Sequence, residues 1–129
     1  MNKDFVAISE MIETYFAGLY TGDVSKLEAV FHPASWLFGD INGQPYSKAL
    51  PAYLDGVKNR QSPSDLGEPQ EMETISIEVL NDIAHVKLHV PMLGYNYYDH
   101  LLLIRTEGGW MISSKSFTNV KTTADVVQN

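Results

Sequence analysis

Cysteine is absent from the 129-residue sequence. Disulfides, thiolate nucleophiles and cysteine-ligated metals are thereby excluded. Basic residues are scarce: nine Lys and Arg stand against 16 Asp and Glu, for a net charge of −7. No local block of Lys and Arg offsets that balance, so no nucleic-acid or membrane-surface partner is expected. Long apolar runs are missing too. None approaches the ~20 residues of a membrane span. The opening MNKDFVAISEM lacks an uninterrupted apolar core of signal-peptide length, so a cytoplasmic location is the expectation.

What is present describes one ordinary domain spanning residues 1–129, with 44% hydrophobic and 11% aromatic residues. Seven of the aromatics are tyrosines, which suit pocket walls where one end of a ring must meet a polar group.

The stretch from Met72 to Asn119 predicts four strands in a meander. Turn signals at Asn81-Asp82, Pro91 to Gly94 and Glu107-Gly108-Gly109 separate runs rich in Ile, Val, Leu, Tyr and Phe. The chain before it reads as helical and amphipathic. From Asp4 to Tyr20, the residues Phe5, Ile8, Ile12, Tyr15, Phe16 and Leu19 recur at intervals of three and four and share a face. Gly22 is the expected stop and Asp23 the expected N-cap of a short second helix, which His32-Pro33 ends. Residues 34–40 predict a strand, Asn42-Gly43 a turn, and Ser47 to Asn59 contains a third helix with Pro51 in its first turn. Residues 60–70, RQSPSDLGEPQ, are a loop of a length that is usually functional or mobile. Residues 121–129 are expected to fray.

Helices first and a meander after make an α+β protein, a curved antiparallel sheet packed on three N-terminal helices. Three helices cannot cover both faces of so long a sheet. The other face, too apolar for full exposure, is expected to meet a second copy as a homodimer.

Several motifs resemble the nuclear transport factor 2-like superfamily. They are Tyr15-Phe16 and Tyr20-Thr21-Gly22-Asp23, Phe31-His32-Pro33, Asp99-His100-Leu101-Leu102-Leu103, Gly109-Trp110-Met111-Ile112, and Lys115 with Phe117. More narrowly, they resemble its lumazine-binding branch, a relative of the polyketide-cyclase-like (SnoaL-like) branch. The resemblance implies a cone-shaped, cystatin-like fold with a cavity at its open end. It also implies a small-molecule ligand such as a flat aromatic or lumazine-like heterocycle, with no cofactor required.

His32 follows the second helix, at a position that borders the cavity in this cone. It is a candidate acid or base, or a histidine whose ring satisfies a local backbone group. Asp99 and His100 are strand neighbours and leave opposite faces, so only one can enter the cavity. Asp99 shares parity with Leu101 and Leu103. Facing inward, it is a candidate general base of an isomerase, dehydratase or cyclase, or a structural partner of Lys115 on the next strand. Candidate ligand-binding residues are Tyr15, Trp36, Tyr53, Tyr97 and Ser114. Ser114 is assigned by continuing the strand face of Trp110 and Ile112. No metal site is expected: His85 and His89 share a polar row with Lys87 but lie too far apart to hold one ion, and that row reads as the outer or dimer-facing side.

Overall fold

The computed structural model describes residues 2–122, and the terminal stretch beyond Thr122 lies outside the described residues. Asn2 opens the first helix by accepting the backbone N–H groups of Asp4 and Phe5 at 2.8 and 3.3 Å. Those are donors that a helix start leaves without an internal partner. Helix α1 (Lys3–Thr21) then buries Ile8, Met11, Ile12, Tyr15, Phe16 and Leu19 along one stripe. Phe5 shares the periodicity but stays 47% exposed at the helix start. Gly22 ends α1 in the left-handed conformation, φ 70°, which glycine adopts without steric cost. Asp23 caps α2 (Val24–Val30) by accepting from the N–H groups of Ser25 and Lys26.

Strand β1 (Phe31–Ile41) follows at once and turns at Asn42-Gly43 into β2 (Gln44–Ala49). The turn was expected and β2 was not. Its sequence, QPYSKA, has little apolar content, and it forms because β1 offers a free edge on that side. Pro45 is tolerated there because an edge strand has one row of unpaired donors anyway. Helix α3 (Leu50–Asn59) takes Pro51 in its first turn and buries Leu50, Tyr53, Leu54 and Val57.

The loop of residues 60–72 is pinned rather than free. Ser64 N–H donates to the Tyr20 carbonyl at 2.9 Å, and the Tyr20 hydroxyl donates to the Glu68 carbonyl at 2.6 Å. The Glu68 carboxylate in turn accepts Leu93 N–H at 2.9 Å. The loop therefore ties the end of α1 to a turn at the far side of the sheet.

The meander is as the sequence predicts: β3 (Glu73–Leu80), β4 (Ile83–Met92), β5 (Tyr95–Thr106) and β6 (Gly109–Asn119). The six strands lie in the order β2-β1-β6-β5-β4-β3 and form one curved sheet with the helices on one face. The architecture is the expected α+β. Every neighbouring pair is antiparallel except β1 and β6, which run parallel and make the sheet mixed.

An irregularity in β6 decides what faces inward. Leu102 sits opposite Ser114 but Leu103 opposite Ile112, so Ser113 is an extra residue in β6. Such a bulge bends the strand and reverses its alternation. Trp110 and Ile112 on one side of it, and Lys115 on the other, are therefore all buried. They join Leu37 of β1, Val86 and Leu88 of β4, and Leu101 and Leu103 of β5 against the helices. Fully burying side chains of this kind contributes roughly 1.5–3 kcal/mol each.

The outer face reads across the strands in register. One row runs Trp36, Ser114, Leu102, His85, Glu78, and the next runs Phe38, Ser116, His100, Lys87, Ser76. The polar row His85, Lys87, His89 lies on this side, as predicted, among the exposed apolar groups Trp36, Phe38, Leu102 and Ile83.

Candidate functional site

Among the described residues the inner face carries one buried charge pair. Asp99 of β5 and Lys115 of β6 are 2% and 5% exposed, and Lys115 Nζ stands 3.7 Å from Asp99 Oδ2. The same oxygen accepts a hydrogen bond from the Tyr15 hydroxyl of α1 at 2.6 Å. Both contacts fall on Oδ2. Lys115 is also cradled by aromatic faces, its Nζ 5.4, 5.0 and 5.3 Å from the ring centres of Tyr15, Tyr53 and Phe117. Cation–π attraction of this kind strengthens where water is excluded.

A narrow cavity opens beside this pair. Asp99, Lys115 and Phe117 form one wall with Tyr97, and Val90 and Met92 of β4 continue it. Ile41 and Tyr46 close the side near the β1–β2 turn, and Tyr53 and Arg60 close the side near the end of α3. About 50 Å³ of it admits the centre of a water-sized sphere, several times the ~10–15 Å³ that one water needs. Its aromatic rings hold one another edge to face: Phe117 meets Tyr46 at 5.1 Å and Tyr97 at 5.6 Å between centres. Gly39 of β1 lets Phe117 sit where it does, since a Cβ there would stand 2.6 Å from the ring.

Tyr15, Tyr46 and Tyr97 are neutral donors at physiological pH. Burial pushes the Tyr46 and Tyr97 phenols up to about 12, with neighbouring tyrosines adding to the effect. Burial, then the Asp99 charge, raises Tyr15 well above its usual value of 10.0. Arg60 is the unbalanced member. Its Nη2 is buried and has no hydrogen-bond partner among the described residues.

A wider groove, about 470 Å³ by the same measure, lies on the surface between α2 and α3. Its charged groups, Glu28, Asp55 and Lys58, are exposed and solvated. The smaller cavity, where buried polar groups converge, is the better candidate site.

Of the residues singled out by sequence, Asp99, Tyr53 and Tyr97 line this cavity. Tyr15 does not reach it; it lies behind Asp99, fully buried. Three further candidates also lie outside the cavity lining. His32 stands at the start of β1, outside the cavity lining, where its Nδ1 accepts Ala34 N–H at 3.0 Å and satisfies a backbone donor. Trp36 is 45% exposed on the outer face, its Nε1–H donating to Ser47 Oγ at 2.8 Å. Ser114 also lies on the outer face, because the extra residue at Ser113 reversed the parity that placed it inside. Tyr46, Phe117 and Arg60 were missed as lining residues. The pairing of Gly39 with both Tyr46 and Phe117 depends on strand order, and an Arg just after a helix reads from sequence as solvated. Among the described residues no group of three metal-ligating side chains comes together.

A curved mixed sheet over three helices, with a side-chain-lined cavity between them, defines the nuclear transport factor 2-like class. Within it, the chain belongs to the family described as "Putative lumazine-binding", whose model matches residues 3–118. Solved structures agree on the fold. An NTF2-like protein of unknown function from Silicibacter pomeroyi shares 23% identity with a TM-score of 0.81, covering 90% of this chain and 95% of its own. One from Shewanella baltica shares 19% with a TM-score of 0.79, covering 93% and 96%. A cystatin-like fold protein from Burkholderia xenovorans shares 13% with a TM-score of 0.67, covering 91% and 92%. A search of curated proteins returned no significant match. No helix among the described residues is long and apolar enough to cross a membrane.

Proposed function

We propose that the protein binds a small planar aromatic or heterocyclic compound in the cavity beside Asp99. The observation that carries this reading is the convergence of Tyr46, Tyr53, Tyr97 and Phe117 with Asp99 on one partly open space. The rings offer flat apolar surfaces, the phenol hydroxyls offer donors, and the second carboxylate oxygen of Asp99 offers an acceptor. The description of the family, lumazine binding, supports the same ligand class. A bicyclic ligand needs more room than the resting cavity gives. Tyr46 and Phe117, both only half-buried, are the side chains that swing aside. Thermal-shift titration with lumazine, pterins and flavins tests the reading. A ligand at a hundred times its Kd stabilises the fold by about 2.7 kcal/mol, and no shift with any of these compounds at millimolar concentration sinks it.

A second reading is a cofactor-free isomerase, dehydratase or cyclase in which Asp99 moves a proton. Its support is the placement of a carboxylate, 2% exposed, against the cavity. Solvent-deuterium exchange into a bound ligand, followed by NMR, separates the two. Exchange that wild type catalyses and Asp99→Asn abolishes favours the enzyme; exchange no faster than without protein removes it.

The protein also pairs with a second copy through the outer sheet face, on the strength of Trp36, Phe38, Ile83 and Leu102, which are 45–53% exposed on it. Light scattering that gives a monomer mass at micromolar concentration overturns this.

A further inference from the structure

The guanidinium of Arg60 is the least compensated charge in the interior. The buried Lys115 and the exposed Arg105 have acid partners, and the half-buried Lys87 stands on the outer sheet face, away from the interior. Lys115 has Asp99 at 3.7 Å, and Arg105 has Asp4 at 2.8 Å and Asp82 at 3.0 Å. Arg60 forms no ion pair among the described residues, and its Nη2 is shut off from solvent with nothing to donate to. This occurs in a chain with 16 carboxylates and nine basic side chains, where an acid partner would be easy to supply. A buried charged donor left unpaired is costly, and native structures rarely keep one without a reason.

The local structure holds Arg60 in place. It is the C-cap residue of α3, with extended backbone at φ −108° and ψ 159°. The loop after it is fixed by Ser62 and Asp65, which bond each other's backbone N–H groups, and by the Ser64–Tyr20 hydrogen bond. Its side chain lines the same cavity as Tyr46, Tyr53, Tyr97 and Asp99. With Asp99 balanced by Lys115, that cavity carries one positive charge in excess.

We infer that the cavity takes a planar compound bearing a carboxylate, and that Arg60 is the residue that receives it. The inference rests on the reading of the cavity as a ligand site. The guanidinium fork matches the two oxygens of a carboxylate, the rings hold the planar body, and the ligand neutralises the excess charge.

Matched acid and amide pairs test it: benzoate with benzamide, and nicotinate with nicotinamide, with acetate and lumazine alongside. Each is titrated calorimetrically into wild type and into Arg60→Gln. The expected result is that wild type binds each acid roughly tenfold or more tightly than its amide, the effect of one charge-assisted hydrogen bond. Arg60→Gln erases that preference and still binds the amides. Equal affinity for acid and amide in wild type overturns the inference, as does a preference that survives in Arg60→Gln. Acetate binding as tightly as benzoate also overturns it, because the site is then a bare anion hole. Binding of lumazine and the amides without any acid preference sinks this inference alone. Failure of every planar compound sinks the ligand-site reading with it. Folding supplies an independent readout: without ligand, Arg60→Gln melts roughly 2 °C or more above wild type, since it removes an unpaired charge. A lower melting temperature marks Arg60 as a structural residue and ends the proposal.

Discussion

Lys115 Nζ lies 3.7 Å from Asp99 Oδ2, and Tyr15 donates to that same oxygen from the helix layer at 2.6 Å. One carboxylate therefore joins β5, β6 and α1 at the point where the cavity begins. Coulomb attraction between buried ions only partly offsets the cost of removing them from water. The pair is consequently sensitive to losing one member and tolerant of losing both.

Lys115→Met should leave Asp99 buried without its counter-ion and cost about 3–5 kcal/mol. A triple variant, Tyr15→Phe with Asp99→Leu and Lys115→Met, removes the charges and the orphaned hydroxyl together and should recover most of that loss. Urea denaturation measures both. A Lys115→Met chain within 1 kcal/mol or so of wild type contradicts the coupling.

Gly39→Ala places a methyl group 2.6 Å from the Phe117 ring, closer than packed carbon atoms allow. The ring must rotate toward the cavity, so ligand affinity and stability should fall together, the latter by about 1–3 kcal/mol. Adding Phe117→Leu to Gly39→Ala relieves the clash and should restore the melting temperature. A Gly39→Ala protein that melts and binds like wild type refutes the tight approach.

Leu102→Glu puts a charge at the middle of the outer face, where Leu102 is 52% exposed beside Ser114 and His85. It should convert a dimer to monomers with the circular dichroism spectrum unchanged. Trp36→Ala belongs to the same experiment and should weaken self-association while leaving ligand affinity alone. Sedimentation that shows the same mass for Leu102→Glu and wild type counts against a dimer on this face.

His100 gives the outer face a pH response. Burial lowers its pKa below the ordinary 6.5, and the neighbouring His85 and Lys87 charges lower it further. Its ring nitrogen stands 3.1 Å from that of His85, a contact that works only while at least one of the two rings is neutral. A depressed histidine binds its proton more readily unfolded than folded. Stability is thus retained above about 6.5 and lost as pH falls through that value toward the folded pKa. The unfolding midpoint should drop between pH 7 and 5.5, and His100→Asn should flatten the drop. An unchanged slope in His100→Asn refutes the assignment.

Much of this was written in local patterns. Asn2, Gly22 and Asp23 act within a few residues of themselves, so the ends of α1 and α2 are legible from their neighbours. The meander is equally local, because each hairpin pairs adjacent segments. The alternation of β4 and β5 put Asp99 with Leu101 and Leu103, and all three are buried. Lys115 stood out as its counter-ion because β6 is the next strand.

Ser114 was misplaced by one residue. Its side followed from Trp110 and Ile112 only while β6 alternated, and the extra Ser113 makes sense only once β5 lies alongside. His32 and Trp36 were misplaced differently. The parallel pairing of β1 with β6 joins segments some 80 positions apart, and it decides that Trp36 faces outward.

Short-range periodicity and capping chemistry by themselves determined the helices, the four-strand meander and the opposite faces of Asp99 and His100, because those depend on near neighbours in the chain; which of the two is buried came from the packing. Only the tertiary structure decided the edge strand β2, the mixed sheet and the cavity walls. Tyr46, Phe117 and Arg60 come from three separate segments, and packing alone brings them around one space. That is also why the Arg60 guanidinium, at the start of a stretch that reads as a loop, lines the cavity with no ion pair among the described residues.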